Sequence, residues 1–249
     1  HSRIDLIDEE PVMVIDHKLD LSPTWTDVES NQEEEITSMI ERASMRGFDL
    51  EAGPLVRCRV FRTHANASVA IMMHHIVSDG WSCAVLQQEL ADAYKAYVRS
   101  QEPSSEPLNV QYADYARWER SIPDRENYKQ GLQEWCDTLR GAPMLRLPAD
   151  HIHSERTSNA GIRVEHLLER DDLLAVQSGA RSLGVTPFVY MLGVFKIWLA
   201  RLTLTEDVVV GTPVANRRTR DTQRLIGFFM ETLPLRSRVP LDRSVQDII

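Results

Sequence analysis

The junction at residues 68–98 limits the fold more than any other stretch. Ser68-Val69-Ala70-Ile71-Met72-Met73 is apolar almost throughout, as a strand covered on both faces is. The run before it, Leu55 to Arg62, alternates apolar and basic residues as a half-buried strand does, and His64-Ala65-Asn66 closes the two into a hairpin. The second strand runs straight into His74-His75-Ile76-Val77-Ser78-Asp79-Gly80. From Trp81 to Val98 the apolar residues return at helical spacing, through Val85, Leu86, Leu90, Ala93, Tyr94 and Tyr97. Two histidines therefore sit where a buried strand leaves its sheet and a helix is about to begin.

The same reading places a short strand at Val12–Ile15 and a helix at Ser30–Arg46 that starts acidic and stops at Gly47. Ser100 to Leu108, rich in Pro, Ser and Glu, reads as a surface linker. Helices follow at Tyr112–Ser121 and Pro123–Leu139, the second with Pro at its start and Gly141 past its end. After a loose stretch the pattern restarts with a strand at Ile162–Leu168 and a helix at Arg170–Leu183. Thr186-Pro187 then caps a helix whose stripe of Phe188, Met191, Leu192, Phe195, Trp198, Leu199 and Leu202 is expected in the core. Asp207–Gly211 reads as a buried strand, Thr212–Arg224 as a polar loop, and Thr232–Val239 as a last strand before a helix near Arg243. Strands and helices mixed in this way predict an α/β (α+β) chain of two lobes, 1–141 and 162–249, with 142–161 connecting them.

Charge and cysteine usage narrow the function. A net charge of −9 leaves no basic surplus for phosphates, so neither nucleic acid nor an anionic membrane is an expected partner. Three scattered cysteines, Cys58, Cys83 and Cys136, fit neither a disulfide framework nor a CxxC site, and a cytoplasmic, reducing compartment is expected. The apolar run Phe188–Ala200 is interrupted by Lys196 and too short to span a bilayer. No signal-peptide pattern opens the chain, and the absence of an initiator Met suggests a fragment.

Adjacent histidines on extended backbone point to opposite sides, so only one of His74 and His75 can face a given cleft. Asp79, four residues on, can fix local geometry through the imidazole or through a distant cation. The spacing suits one positioned base or hydrogen-bonding group supported by a structural acid. On the local pattern alone, a histidine at a strand end is more often a satisfied loop residue than a catalyst. His-His-x-x-x-Asp could also offer metal ligands, but no further cluster at metal spacing accompanies it, and no metal is expected. Asp150, His151 and His153 read as a solvated loop. There is no GxSxG elbow, glycine-rich phosphate loop, HExxH or kinase set.

Met73 to Ser82 resembles the HHxxxDG core motif of nonribosomal peptide synthetase condensation domains, in the version that accepts an L-configured donor. Other segments share the resemblance in the family's order. Phe48-Asp49-Leu50 with Gly53-Pro54-Leu55 resembles the upstream segment, and Tyr112 to Trp118 resembles YxDYAxW. Leu145 to Asp150 is similar to LELPTD, Val209 to Arg217 to VGTPxANR, and Ile226 to Arg236 to GFFxNTLxLR. The likeness covers essentially the whole chain.

The resemblance implies two chloramphenicol-acetyltransferase-like lobes forming a V, both incomplete here, with the histidine motif in the tunnel between them. It implies amide-bond formation between a donor thioester and an acceptor amine. Both are carried on phosphopantetheine by an upstream and a downstream carrier protein, next to an adenylation domain; no cofactor is bound directly. His75 would lie nearest the amine, His74 would pack structurally, Asp79 would be a structural anion paired with Arg217 across the lobes, and Gly80 would leave room for the pantetheine arm; a solvated loop pair of Arg217 and Arg218 is the alternative to that ion pair. Trp81, Ser82 and Glu231 are expected to contact substrate, and Tyr112 and Trp118, with Tyr115, to support the core. Two departures stand out. Glu231 occupies the usual Asn position of NTLxLR, and the family's RHExLRT region and the rest of the second lobe fall outside the chain. Two alternatives are a non-catalytic docking or recruitment module of the same fold and a free-standing acyltransferase using coenzyme A.

Overall fold

A computed structural model describes residues 2–15, 21–29, 33–103, 106–149 and 164–248. The hairpin read from the alternating and apolar runs is present: β4 (Val56–Arg62) pairs antiparallel with β5 (Ala67–Met73), Val56 opposite Met73 and Arg62 opposite Ala67. On its other edge β4 pairs in parallel with β3 (Thr24–Asp27), a strand too short and too polar to show in the apolar pattern. Before it, β1 (Ser2–Ile7) and β2 (Glu10–Ile15) form a separate antiparallel ribbon, where only part of β2 was expected. Helix α1 (Glu33–Ser44) starts with Glu33, Glu34 and Glu35, whose charge suits the positive end of a helix. It packs Ile36, Met39 and Ile40 onto Val28, Phe61 and Ala70 of the sheet side.

Helix α2 (Gly80–Val98) begins at once after the histidine turn, capped by the Asp79 side chain. α3 (Tyr112–Arg120) follows, then a single 3₁₀ turn at Ile122–Asp124 and α4 (Glu126–Leu139), so Pro123 lies in the turn rather than opening the helix. The strand expected at Ile162–Leu168 is corrected: residues 164–168 are irregular, and 162–163 lie outside the described residues together with Asp150, His151 and His153. α5 (Arg170–Ser182) and α6 (Pro187–Thr203) follow as read, Thr186 accepting the Val189 N–H. β6 (Asp207–Val214) runs past the expected end at Gly211, and the supposed loop beyond it contains the short α7 (Arg220–Gln223). β7 (Glu231–Arg238) pairs with β6, and α8 (Val245–Ile248) follows.

The face of α6 required correction. Ile197, Leu199 and Ala200 are buried with Val208 and Val239, whereas Phe188, Met191, Phe195, Trp198 and Leu202 of the expected stripe are exposed. A helix apolar nearly all round has no single face that period alone can assign to the core.

Two compact units result: residues 1–120 with 215–231, and residues 121–214 with 232–249. They differ from a contiguous split near 142–161, much of which lies outside the described residues. In the second unit Arg236 ties the end of α4 to the β6–β7 pair. Its guanidinium donates to the Thr138 and Arg140 carbonyls at 2.8 and 2.9 Å and to Asp207 at 2.6 and 2.9 Å. In the first unit Tyr115, Leu225 and Phe229 form a core of their own. Among the described residues no single helix is long and apolar enough to cross a membrane.

Candidate active site

The site lies within the first unit and starts where β5 stops. The His74 N–H still donates to the Leu55 carbonyl at 2.9 Å, holding the strand end. One residue later the backbone turns into a 3₁₀ turn at His75–Val77, and His74 Nδ1 caps it by accepting the Ile76 N–H at 3.0 Å. The His74 ring meets Phe48 edge-on at 5.8 Å, and Phe48 in turn carries the Arg57 guanidinium at 4.1 Å. That ring is therefore a packing and capping group.

His75 has a different setting. Its residue is exposed, and its Nδ1 lies 2.7 Å from the Ser78 carbonyl oxygen. A carbonyl only accepts, so Nδ1 carries the proton and a neutral ring keeps its lone pair on Nε2. The ring stands edge-on to Phe228, centroids 5.2 Å apart and planes at 84°.

Asp79 anchors the turn from below. It is 4% exposed and accepts the Ser82 N–H at 2.7 Å, the Ser82 hydroxyl at 2.7 Å and the Phe229 N–H at 3.1 Å. Arg217 Nη2 reaches its two oxygens at 3.0 and 3.2 Å. Burial alone would raise the carboxyl pKa, but the Ser82 and Phe229 donors and the Arg217 charge together outweigh it and hold it below the ordinary value. Arg217 is itself buried. Its Nη1 donates to the Thr222 and Leu225 carbonyls at 2.6 Å each, and its plane lies 4.0 Å over the Phe229 ring. The Asp79–Arg217 pair therefore forms as a buried, many-partnered contact and not as a solvated loop charge, but it lies within the first compact unit, where a contact across two lobes was expected.

Ser82 is corrected. Expected to touch substrate, it is 0% exposed, and its hydroxyl is taken up by Asp79, Arg217 and both backbone groups of Gly227. A hydroxyl so enclosed holds residues 217–227 against the histidine turn and has no face left for a ligand. Trp81, the preceding residue, is 45% exposed, its indole N–H tied to the Gln223 carbonyl at 2.9 Å. It lines a groove of about 800 Å³ along α2 with Gln88, Asp92 and Arg224. Gly80 begins α2, and a Cβ built there would meet nothing within 4 Å, so neither backbone nor packing in this chain calls for glycine.

Tyr112 donates its hydroxyl to the Phe228 carbonyl at 2.7 Å and packs edge-on to Phe229. Gly227 lets it come this close, since a Cβ at 227 would collide with the Tyr112 ring. Tyr115 is buried and donates to Glu119 at 2.7 Å. Burial, then that bond, push its phenol above the ordinary range. Trp118 departs from the expected core stripe: it is 46% exposed, tilted against Tyr115, and borders a cavity of about 270 Å³ with Asn216 and Thr222. His75 does not line that cavity, which is therefore not where the imidazole would act. Glu231 is exposed at the first position of β7 and helps raise the Tyr115 phenol. Among the described residues no three His, Cys, Asp or Glu side chains gather to hold a metal ion. The Ser78 carbonyl, Gly227, Phe228 and Phe229 complete the site; the motif signal pointed to their segment but not to what each one does.

The model of the condensation domain family matches residues 3–249. Malpinin synthetase of Mortierella alpina is 36% identical over 222 residues, which cover 88% of this chain and 3% of that protein. Among solved structures, the X-domain from teicoplanin biosynthesis superposes with a TM-score of 0.84 at 22% identity, over 99% of this chain and 56% of the other. The first condensation domain of the CDA synthetase gives 0.81 at 18% identity, over 99% and 59%. The chain thus spans a small fraction of that synthetase and a little over half of each solved relative. At these identities the solved structures establish the mixed α/β, chloramphenicol-acetyltransferase-like fold.

Proposed function

The chain belongs to the condensation domain family of nonribosomal peptide synthetases, and on that premise we propose that it forms an amide bond between a carrier-bound, L-configured donor thioester and the amine of a carrier-bound acceptor amino acid. The observation that carries this reading is the His75 imidazole, exposed and with Nδ1 committed to the Ser78 carbonyl, so that Nε2 is the nitrogen open to an incoming amine. In the proposed step the acceptor nitrogen attacks the thioester carbonyl and the C–N bond forms. The amine proton passes to Nε2. Collapse of the tetrahedral intermediate breaks the C–S bond, and the proton goes on to the departing sulfur, leaving an amide and a free pantetheine thiol. A neutral imidazole that only orients the amine fits the same geometry. Asp79 and Arg217 act by holding the turn rather than by meeting the substrate. The open space beside Gly80 suits the pantetheine arm, and Trp81 and Glu231 are proposed to contact the substrates.

The upstream and downstream carrier proteins, the adjacent adenylation domain, a cytoplasmic setting and the lobe division 1–141 and 162–249 belong to the same proposal. A carrier-loaded dipeptide assay on the intact parent protein tests it. His75→Ala is expected to slow condensation on the order of 100- to 10,000-fold if the ring is a base. Product formed at the unmutated rate by His75→Ala would remove the role given to this residue. Glu231 favours a second reading, a docking or recruitment module, because it puts a carboxylate where the family usually has a neutral amide. Tight carrier binding with no condensation for any donor and acceptor pair would select that reading.

A further inference from the structure

We infer that Phe228 is a positioning residue that sets the plane of the His75 imidazole, an inference that rests on the proposed role of His75. A single hydrogen bond, Nδ1 to the Ser78 carbonyl at 2.7 Å, fixes one ring atom but leaves the ring free to tilt about that axis. The group that stops the tilt is the Phe228 ring, perpendicular at 84° with centroids 5.2 Å apart.

The backbone around Phe228 is held on every side. Gly227 exchanges bonds with the Ser82 hydroxyl at 2.8 and 3.1 Å, the Phe228 carbonyl accepts from Tyr112 at 2.7 Å, and the Phe229 N–H donates to Asp79 at 3.1 Å. The neighbouring side chain, Phe229, is 2% exposed beneath the Arg217 guanidinium, whereas Phe228 is 37% exposed beside the imidazole. The partners that bury Phe229 and anchor this backbone thus bring Phe228 against the His75 ring, whose Nδ1 is committed to the Ser78 carbonyl. Without Phe228, the Nε2 lone pair would sweep an arc, and fewer of its orientations would match the line of an approaching amine.

The test is a two-by-two set in the intact protein, single-turnover dipeptide formation being measured for Phe228→Leu and Phe228→Tyr with His75 present and with His75→Ala. Phe228→Leu is expected to lower the rate roughly 3- to 10-fold when His75 is present, the size of one edge-to-face contact, with KM for the acceptor unchanged. It is expected to change the residual rate of the His75→Ala protein less than 2-fold. Phe228→Tyr, which keeps the ring edge, should restore most of the loss. An equal reduction in both backgrounds, or none with His75 present, would overturn the inference and leave the role of His75 standing. Full activity in His75→Ala alone would instead overturn that role, and Phe228 would fall with it.

Discussion

Replacing Arg217 with Met removes the guanidinium and keeps most of the bulk over Phe229. Six contacts of 3.4 Å or less go with it: two to Asp79, one to Ser82, and one each to the Thr222, Leu225 and Gly227 carbonyls. Breaking a buried pair from one side costs about 3–5 kcal/mol, because the remaining charge stays buried. Asp79 retains three donors, from Ser82 and Phe229, which places its share at the lower end of that range. Two carbonyls, of Thr222 and Leu225, lose a charged donor and restore part of the cost. The expected loss is about 4 kcal/mol, read as a shift in the urea unfolding transition followed by circular dichroism. It depends on pH in a stated direction. Folding lowers the Asp79 carboxyl below its ordinary 3.8, so the contribution is complete above that value and vanishes as pH falls through the folded-state pKa. The gap between wild type and Arg217→Met should therefore narrow in acid, leaving the share owed to the Thr222 and Leu225 carbonyls. A loss under about 1 kcal/mol at pH 7, the range of exposed pairs, would refute the claim that this contact holds the turn.

Two further outcomes follow from single positions. Gly80→Leu should leave the melting temperature within about 2 °C, since its side chain starts in open space, but should raise KM for carrier-bound substrate about 10-fold or more if the arm passes there. Lys196→Met should stabilise the protein on the order of 1 kcal/mol at pH 7, because burial lowers the Lys196 pKa and its ammonium has a Ser237 hydroxyl, 2.7 Å away, rather than a carboxylate as partner. Since the unfolded chain binds that proton more tightly, wild-type stability rises with pH towards 10.5 and the gain should shrink across that range, as urea titrations between pH 7 and 10 would show.

The parts legible in the sequence were those whose pattern is local. The β4–β5 hairpin and α2 showed in periodicity, and Thr186-Pro187 announced α6 by capping chemistry alone. β1 alternates only over Arg3-Ile4-Asp5-Leu6 and β3 has a single apolar residue, Trp25, between threonines, so in each the pattern is too brief to mark a strand without its partner. Ile162–Leu168 held the apolar content of a strand, yet residues 164–168 are irregular, since apolar content does not by itself supply a neighbouring strand. α6 was located but turned the wrong way, because its apolar residues surround the axis. In the site, the motif pointed to Asp79 and Arg217 as partners, since charge and family order both implied them. It could not tell a Ser82 hydroxyl facing substrate from one enclosed by Gly227 and Arg217, because both readings suit a serine beside a helix start. Phe228 and Phe229 look alike as letters. Only their neighbours, one imidazole and one guanidinium, separate them.

The first compact unit is assembled from two stretches of chain, 1–120 and 215–231, clasped through Asp79 and Arg217. Anyone recombining synthetase genes with one crossover inside residues 121–214 takes the anion from one parent and its cation, together with the phenylalanine beside the imidazole, from the other. Such a chimera inherits an unrehearsed joint in its most enclosed contact, whereas transplanting both stretches as a set carries the clasp over intact.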